Sequence, residues 1–309
     1  MPPCVYVVVL NFNGVRWLTA CLDALLQTTY ANFTVIVVDN ASTDDSVNLI
    51  RERFSDVILL LQNRNDGFSA GNNQGIRYAL ERHADYVVLL NPDTKVKPDW
   101  LSHLIEVGEQ LTHVGILGAM QLGYDDDDWN SWTRNVLKPE QQALLLDDNR
   151  CPAWLEVEWV EGSCFAIKRE VLQAVGLFDP IFFSFYEEID YCRRARYHGF
   201  STGLVTKSFF HHYRGGVWAA TQKKQTVRDY QCDKSQFIYS LTAPDQAIAK
   251  NLINYGQTFL VKGKEALMGM RYARLLTLAW MQFSILRHGR TIWRKWRADR
   301  LKLTGYGAI

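Results

Sequence analysis

The sequence predicts an α/β fold in which a mostly parallel central sheet is covered by helices on both faces, followed by a C-terminal helical extension. Three observations lead there. The runs VYVVVL, FTVIVVD, DVILLLQ, YVVLLN and VGILGAM alternate over residues 5 to 118 with stretches of helical composition, the pattern of βαβ units with right-handed crossovers. The runs are nearly continuous in Val, Ile and Leu, which suits strands buried on both faces. At 309 residues, with 48% hydrophobic and 22% charged residues, the chain can bury a substantial core and has ordinary globular composition.

In an open sheet of this kind, ligands gather at the carboxyl ends of the strands. The residues that end the first four runs are Asn11, Asp39, Asn63, and Asn91 with Asp93. The first turn, NFNG, lacks the G-x-G-x-x-G of nicotinamide and flavin enzymes. Asp39 is followed by NASTDDS, where Ser42 or Thr43 can cap a helix. In NRNDGFSAGNNQGI, Gly67, Gly71 and Gly75 permit close backbone approach and Asn72 and Asn73 offer uncharged donors; the same glycines also suit a helix packed tightly on the sheet.

Residues 123 to 150 change character, with four consecutive aspartates at 125 to 128. A solvated loop or an elaboration over the site is expected there, since four neighbouring carboxylates cannot converge on one ion. WLEVEWVEGSCFAIKREVL predicts a strand, a turn at Gly162, a second strand and a helix. The run FYEEIDYCRRARYHGF predicts a helix from about Glu187 to His198. Two strand-like pieces, 201 to 205 and 208 to 210, lead into HHYRGG, and the pattern after Trp218 is mostly helical.

The net charge of +1 provides no global field for nucleic acid. Six scattered cysteines without a C-x-x-C pair suit a reducing, cytoplasmic compartment. The N-terminus has no basic leader region. The longest apolar stretch, 275 to 286, is short of the roughly 20 residues that span a bilayer. The tail combines Trp293 and Trp296 with Arg287, Arg290, Arg294, Lys295, Arg297 and Arg300, a basic and aromatic mixture suited to peripheral contact with an anionic membrane surface.

Asp93 at a strand end can bind a hard divalent ion, and such an ion neutralises diphosphate oxygens. Glu187, Glu188 and Asp190 fall in the first turn of the expected helix, where the dipole favours negative charge. Set beside a run of aromatics, they also form the acid-rich apolar surroundings that position a general base. His211 and His212 could supply an imidazole to a metal or a phosphate.

Taken in order, VVVLNFNG, VIVVDNASTDDS, NDGFSAGNNQGI, LLNPDT, VEGSCFAIKREVLQAVGLFD, FYEEIDYCRRA and the His211/His212 pair resemble family 2 glycosyltransferases of the GT-A fold, with its Rossmann-like sheet, and most closely their rhamnosyltransferase-like branch. The resemblance covers about residues 4 to 216. It implies an inverting transfer of a sugar, rhamnose first, from a dTDP-, UDP- or GDP-linked donor to a cell-surface or lipid-linked glycan. It implies that Asp39, with Asn11, Asn72 and Asn91, lines the nucleotide pocket. Asp93 matches the last acid of the family's D-x-D motif, whose first acid is replaced here by Asn91. Asp93 with His211, or with His212 as the near alternative, would hold Mg2+ or Mn2+. Glu188 would be the base, with Glu187 and Asp190 as alternatives. Gly162 and Ser163 would lie near donor sugar and acceptor, with Trp129, Trp132 or Trp159 as stacking surfaces. The expected organisation is a catalytic domain over 1–216, split near 120 into nucleotide-sugar and acceptor halves, and a helical region over 217–309.

Two rivals remain on the sequence. A nucleotidyltransferase would need a Gly-rich basic loop near the N-terminus, where NFNGVRW supplies only Arg16. A silent saccharide binder would not need the acids that are retained.

Overall fold

The computed structural model describes residues 1–147, 150–213, 222–269 and 272–303; the expected boundary at 216 lies outside them. β1 (Val5–Asn11), β2 (Phe33–Asp39), β3 (Ile58–Leu61) and β4 (Tyr86–Leu90) are parallel and lie in the order β3-β2-β1-β4. α1 (Val15–Leu26), α2 (Ser46–Arg53) and α3 (Gly67–Glu81) connect them. Side chains alternate across a strand, so Val5, Val7 and Val9 join one apolar layer with Leu18, Leu22 and Trp100. Tyr6 and Val8 join the opposite layer with Ile76 and Ala79. Both faces are covered, which is why the strands read as unbroken apolar runs.

α3 packs closely because it is small where it meets the sheet. A Cβ on Gly71 would stand 2.6 Å from Leu10, and one on Gly75 would stand 2.4 Å from Val8. Of the two roles open to these glycines, helix-on-sheet packing is therefore the one their surroundings require.

Past β4 the sheet continues through β8 (Cys164–Lys168), antiparallel to its neighbours, then β6 (Val114–Leu122) and β9 (Ser201–His212). β5 (Thr94–Val96) and β7 (Trp154–Glu156) both pair antiparallel with β9. The carboxyl ends of β1, β2, β4, β6 and β9 thus share one edge, which carries Asn11, Asp39, Asn91 to Asp93, Gln121 and His212. α4 (Trp100–Gln110) and α7 (Arg169–Val175) complete the layers.

Three local expectations change. The two pieces expected after residue 200 are one strand with a register shift between Ala119 and Met120 of β6, where Val205 and Phe209 are the successive partners. β7 does not form a hairpin with β8 across Gly162 but pairs with β9. The 123–150 segment carries α5 (Ser131–Val136), capped by Asn130, whose side chain accepts from Thr133 N, and α6 (Pro139–Leu145).

α8 (Glu187–Tyr197) is followed, after β9, by α9 (Gln222–Leu241), α10 (Ile248–Met268), α11 (Tyr272–Arg287) and α12 (Gly289–Arg300). These last four share their own apolar cluster, built on Phe237, Ile238, Leu278, Met281, Ile285 and Ile292. Phe182, from the turn leading into α8, is part of it. The helical extension is therefore packed onto the segment that carries the acidic cluster.

Candidate active site

Asp39 ends β2 at 2% exposure. One of its oxygens accepts Asn11 Nδ2 at 2.8 Å and the other accepts the Ser42 amide at 2.9 Å. Asn11 also donates to Ser42 Oγ at 3.1 Å, and its own Oδ1 is buried without a partner. A Cβ on Gly14 would come within 2.3 Å of that oxygen, so the glycine of NFNG keeps the space open. Ser42 and Thr43 do not cap α2 as expected. They close the pocket wall instead: Ser42 Oγ accepts from Asn13 N, and Thr43 N donates to Asn13 Oδ1 at 2.7 Å. Asn13 holds the left-handed conformation (φ 53) that asparagine tolerates. Asn72 is buried and donates to Phe68 O within α3, while Asn73 ties that helix to the backbone of Phe178.

Asp93 Oδ1 lies 3.2 Å from His212 Nε2. Of the two histidines expected as partners of Asp93, His211 and its near alternative His212, it is His212 that lies beside it. Neighbouring residues of a strand point to opposite faces, so His212 meets Asp93 while His211 turns to Gly123 O at 2.6 Å and Asp127 at 3.4 Å. His212 Nδ1 is in contact with the fully buried Gln121 amide, whose Oε1 has no partner. An amide can present either atom to the ring. Turned to present Oε1, it would accept a proton from Nδ1 and leave the Nε2 lone pair facing Asp93, the tautomer a metal ligand needs.

Among the described residues no group of three His, Cys, Asp or Glu is placed to hold a metal ion. Two donors 3.2 Å apart do fit adjacent positions on one octahedral ion with bonds of about 2.1 Å. Asp93 and His212 would be the protein's donors to such an ion. The aspartate run is a surface loop in which Asp127 pairs with Lys97 at 2.8 Å.

The acidic cluster opens α8. Phe185 (φ 70) and Tyr186 (φ 69) are both left-handed, a strained pair that turns the chain into the helix; such strain collects at functional sites. The turn is fixed by Phe68 N donating to Phe183 O at 2.7 Å. Gly67 (φ +82) allows that approach, since a Cβ there would lie 2.3 Å from the same oxygen.

Glu187 and Glu188 each have a buried Oε2 without a partner. Burial pushes the Glu187 carboxyl well above its ordinary value, and the Glu188 charge adds to this. Burial likewise pushes Glu188 up to about 7, outweighing its backbone hydrogen bond, with Glu161 raising it further. Glu188 is the more exposed of the two.

Asp190 behaves in the opposite way and is corrected as a candidate base. It is fully buried, with Arg193 Nη2, Arg194 Nε and Lys295 Nζ each at 2.9 Å. Burial opposes its charge, but Lys295, Arg194 and Arg193 outweigh burial and hold the carboxyl below the ordinary carboxylate range. A carboxylate saturated by three cations is a poor proton acceptor.

A short path joins the two halves of the site. Asn91 N donates to Ser163 O at 3.0 Å, and Ser163 Oγ donates to Glu161 at 3.2 Å. Glu161 in turn raises Glu188. Gly162 lies against Phe68. Trp132 and Trp159 meet edge to face at 5.6 Å, and Trp129 packs beside that apolar layer. Sequence reasoning missed Gln121, Glu161 and Lys295. Glu161 adjoins Gly162 in VEGSCF and was open to detection, whereas only the folded chain brings Gln121 and Lys295 to the site.

The family model described as glycosyl transferase family 2 matches residues 6–176. The chain belongs to glycosyl transferase family 2. This family 2 glycosyltransferase is 29% identical over 183 residues to the low-salt glycan biosynthesis hexosyltransferase Agl10 of Haloferax volcanii, covering 54% of this chain and 55% of that protein. The match thus spans about half the length of that relative. It is 24% identical over 211 residues to the N-acetylglucosaminyl-diphospho-decaprenol L-rhamnosyltransferase of Mycobacterium tuberculosis, covering 60% of this chain and 67% of that one. Among solved structures, the mannosyltransferase PcManGT from Pyrobaculum calidifontis, in complex with GDP-Man and Mn2+, superposes with a TM-score of 0.59 at 16% identity, covering 97% of this chain and 88% of the other. The fold is GT-A, as expected.

Proposed function

We propose that this glycosyltransferase moves a sugar, rhamnose being the leading candidate, from a nucleotide diphosphate to a hydroxyl of a cell-surface or lipid-linked glycan, with inversion at the anomeric carbon. The observation that carries the proposal is Glu188: a buried carboxyl with a partnerless oxygen, raised to about 7, at the start of α8. A base poised near the working pH is what proton removal from an acceptor hydroxyl requires.

Glu188 takes the acceptor proton as the acceptor oxygen bonds to the anomeric carbon, and the bond from that carbon to the diphosphate breaks on the opposite face. No covalent sugar intermediate is needed. Burial and the neighbouring Glu188 charge both push the Glu187 carboxyl up, which disfavours a second charge beside the base. Asp39, held by Asn11 and Ser42, keeps lone pairs for the ribose or base of the nucleotide, and Asn72 and Asn91 are assigned to the same pocket by the motif resemblance. A divalent ion, Mg2+ or Mn2+, on Asp93 and His212 would offset the charge of the leaving diphosphate. Ser163 and Gly162, between Asn91 and Glu161, are suited to the donor sugar and acceptor.

The rhamnose assignment is supported by the motif resemblance and by the name of the mycobacterial relative. We assign residues 1–216 to catalysis, with nucleotide-sugar and acceptor halves meeting near 120, and 217–309 to a helical extension. Among the described residues no helix is long and apolar enough to cross a membrane. Peripheral contact with the inner face of the cell membrane is supported by exposed Leu260, Val261, Trp280 and Phe283 on α10 and α11, and by outward-facing Arg290, Trp293, Arg294 and Arg297 on α12. Lys295 is not part of that surface, being 1% exposed.

The test is slow donor hydrolysis by the purified chain. dTDP-, UDP- and GDP-sugars are each incubated with and without Mg2+ or Mn2+. Metal-stimulated turnover of at least one donor is expected. A chain that turns over none of them is a binder and not a transferase.

A further inference from the structure

A groove of about 550 Å3 runs between the α5–α6 elaboration and the chain just after β7, with Trp132, Lys138, Glu156, Glu158, Trp159 and Arg196 in its lining. We propose that it is a second acceptor subsite, binding an inner sugar of the glycan that is being extended. The inference rests on Glu188 marking the reacting centre.

Distance separates the groove from the reacting hydroxyl. Arg196 lies eight residues after Glu188 in α8, about 12 Å along the axis at 1.5 Å per residue. That span exceeds one pyranose ring, so the ring modified at Glu188 is not the one in the groove. The chain from 158 to 161 bridges the two places. Glu158 and Trp159 line the groove, the Val160 backbone N–H donates to the Cys192 sulfur in the middle of α8, and Glu161 influences Glu188.

The lining chemistry selects a neutral, hydroxyl-rich ligand. Half-buried Trp159 gives an aromatic surface for the C–H face of a sugar, with the buried Trp132 packed against it at an interplanar angle of 68°. The indole Nε1 of Trp132 and Nη1 of Arg196 are shielded from water and have no partner. Both groups only donate, so what they lack is an acceptor, and sugar hydroxyl and ring oxygens are acceptors. Leaving such donors unmatched is costly, and a small side-chain turn that brought them to an occupant would relieve that cost. Exposed Glu156 and Glu158 can accept from hydroxyls, and they balance the charges of Lys138 and Arg196 in the same lining, so the groove has no net positive charge to draw a phosphate.

The proposal is tested by calorimetric titration of the intact chain, without donor, using N-acetylglucosamine and rhamnose oligosaccharides of one to three rings. The wild type is expected to bind the best trisaccharide about tenfold more tightly than its monosaccharide, and Trp159→Ala and Arg196→Gln to lose most of that gain, three- to tenfold. Glu158→Gln, at an exposed position, guards against misfolding and should lose part of it. A wild type with no gain from length, or variants that retain the full gain, overturns the subsite. Wild-type donor hydrolysis is measured separately, so the catalytic reading and the subsite fail independently.

Discussion

Lys295 Nζ lies 2.9 Å from Asp190 Oδ2, joining α12 to α8 across 105 residues of chain. Asp179 at 3.5 Å and Asp299 at 2.8 Å complete the surroundings of the ammonium. With Arg193 and Arg194 this makes three cations facing three carboxylates, a neutral cluster inside the protein. A buried cation in such a place fixes geometry more than it adds stability, but removing one partner strands the others.

Lys295→Met should therefore destabilise the fold by about 3–5 kcal/mol, read as a lower denaturant midpoint. Adding Asp190→Asn should restore part of the loss. An unchanged midpoint in the single variant would show that the contact does not hold α12 in place.

Glu188→Gln should lower transfer by about 10²-fold or more while nucleotide binding persists. In the wild type, Glu188 is protonated below about 7 and charged above it, so transfer should rise with pH through that value. The stability sign is opposite to the activity sign. A carboxyl raised above its unfolded value favours the fold fully below that unfolded value, and the advantage is lost as pH rises through about 7. Glu188→Gln should then be more stable than the wild type at pH 8 and closer to it at pH 5. Melts that shift equally at both pH values would contradict the buried, titrating carboxyl.

Metal stimulation of donor hydrolysis should disappear in His212→Ala and Asp93→Ala and persist in His211→Ala. If His211→Ala is the variant that loses the response, the pairing of Asp93 with His212 is not the metal site.

Binding to vesicles containing anionic lipid should weaken when Arg290, Arg294 and Arg297 are changed together to Ser, and weaken further with Trp280→Ser. Removing residues 287–309 is a poor test, because it also takes Lys295 from Asp190. Undiminished flotation of the substituted chain would mean that this face does not contact lipid.

Most of the scaffold was legible because its strands are buried on both sides and so declare themselves as apolar runs. The strand-end positions of Asp39 and Asp93 followed from the same pattern. Contacts between distant segments were not legible. Period-two alternation tells that His211 and His212 face apart, yet not which one faces Asp93; that depends on the pairing of β5 with β9. Three acids in one helical turn look alike in sequence, but Asp190 is claimed by cations from its own helix and from α12, while Glu187 and Glu188 are left to burial. α5 and α6 were hidden because an acidic loop precedes them and the helices are short.

The bond from Lys295 to Asp190 also sets a clock. Chains fold from the N-terminus as they are made, so the parallel strands and the Asn11–Asp39 network can assemble while α12 is still unsynthesised. During that interval Asp190, Arg193 and Arg194 face water on the side that α12 later covers. The ion cluster around Asp190 is complete only once residue 295 has left the ribosome, well after the strands and α8 itself.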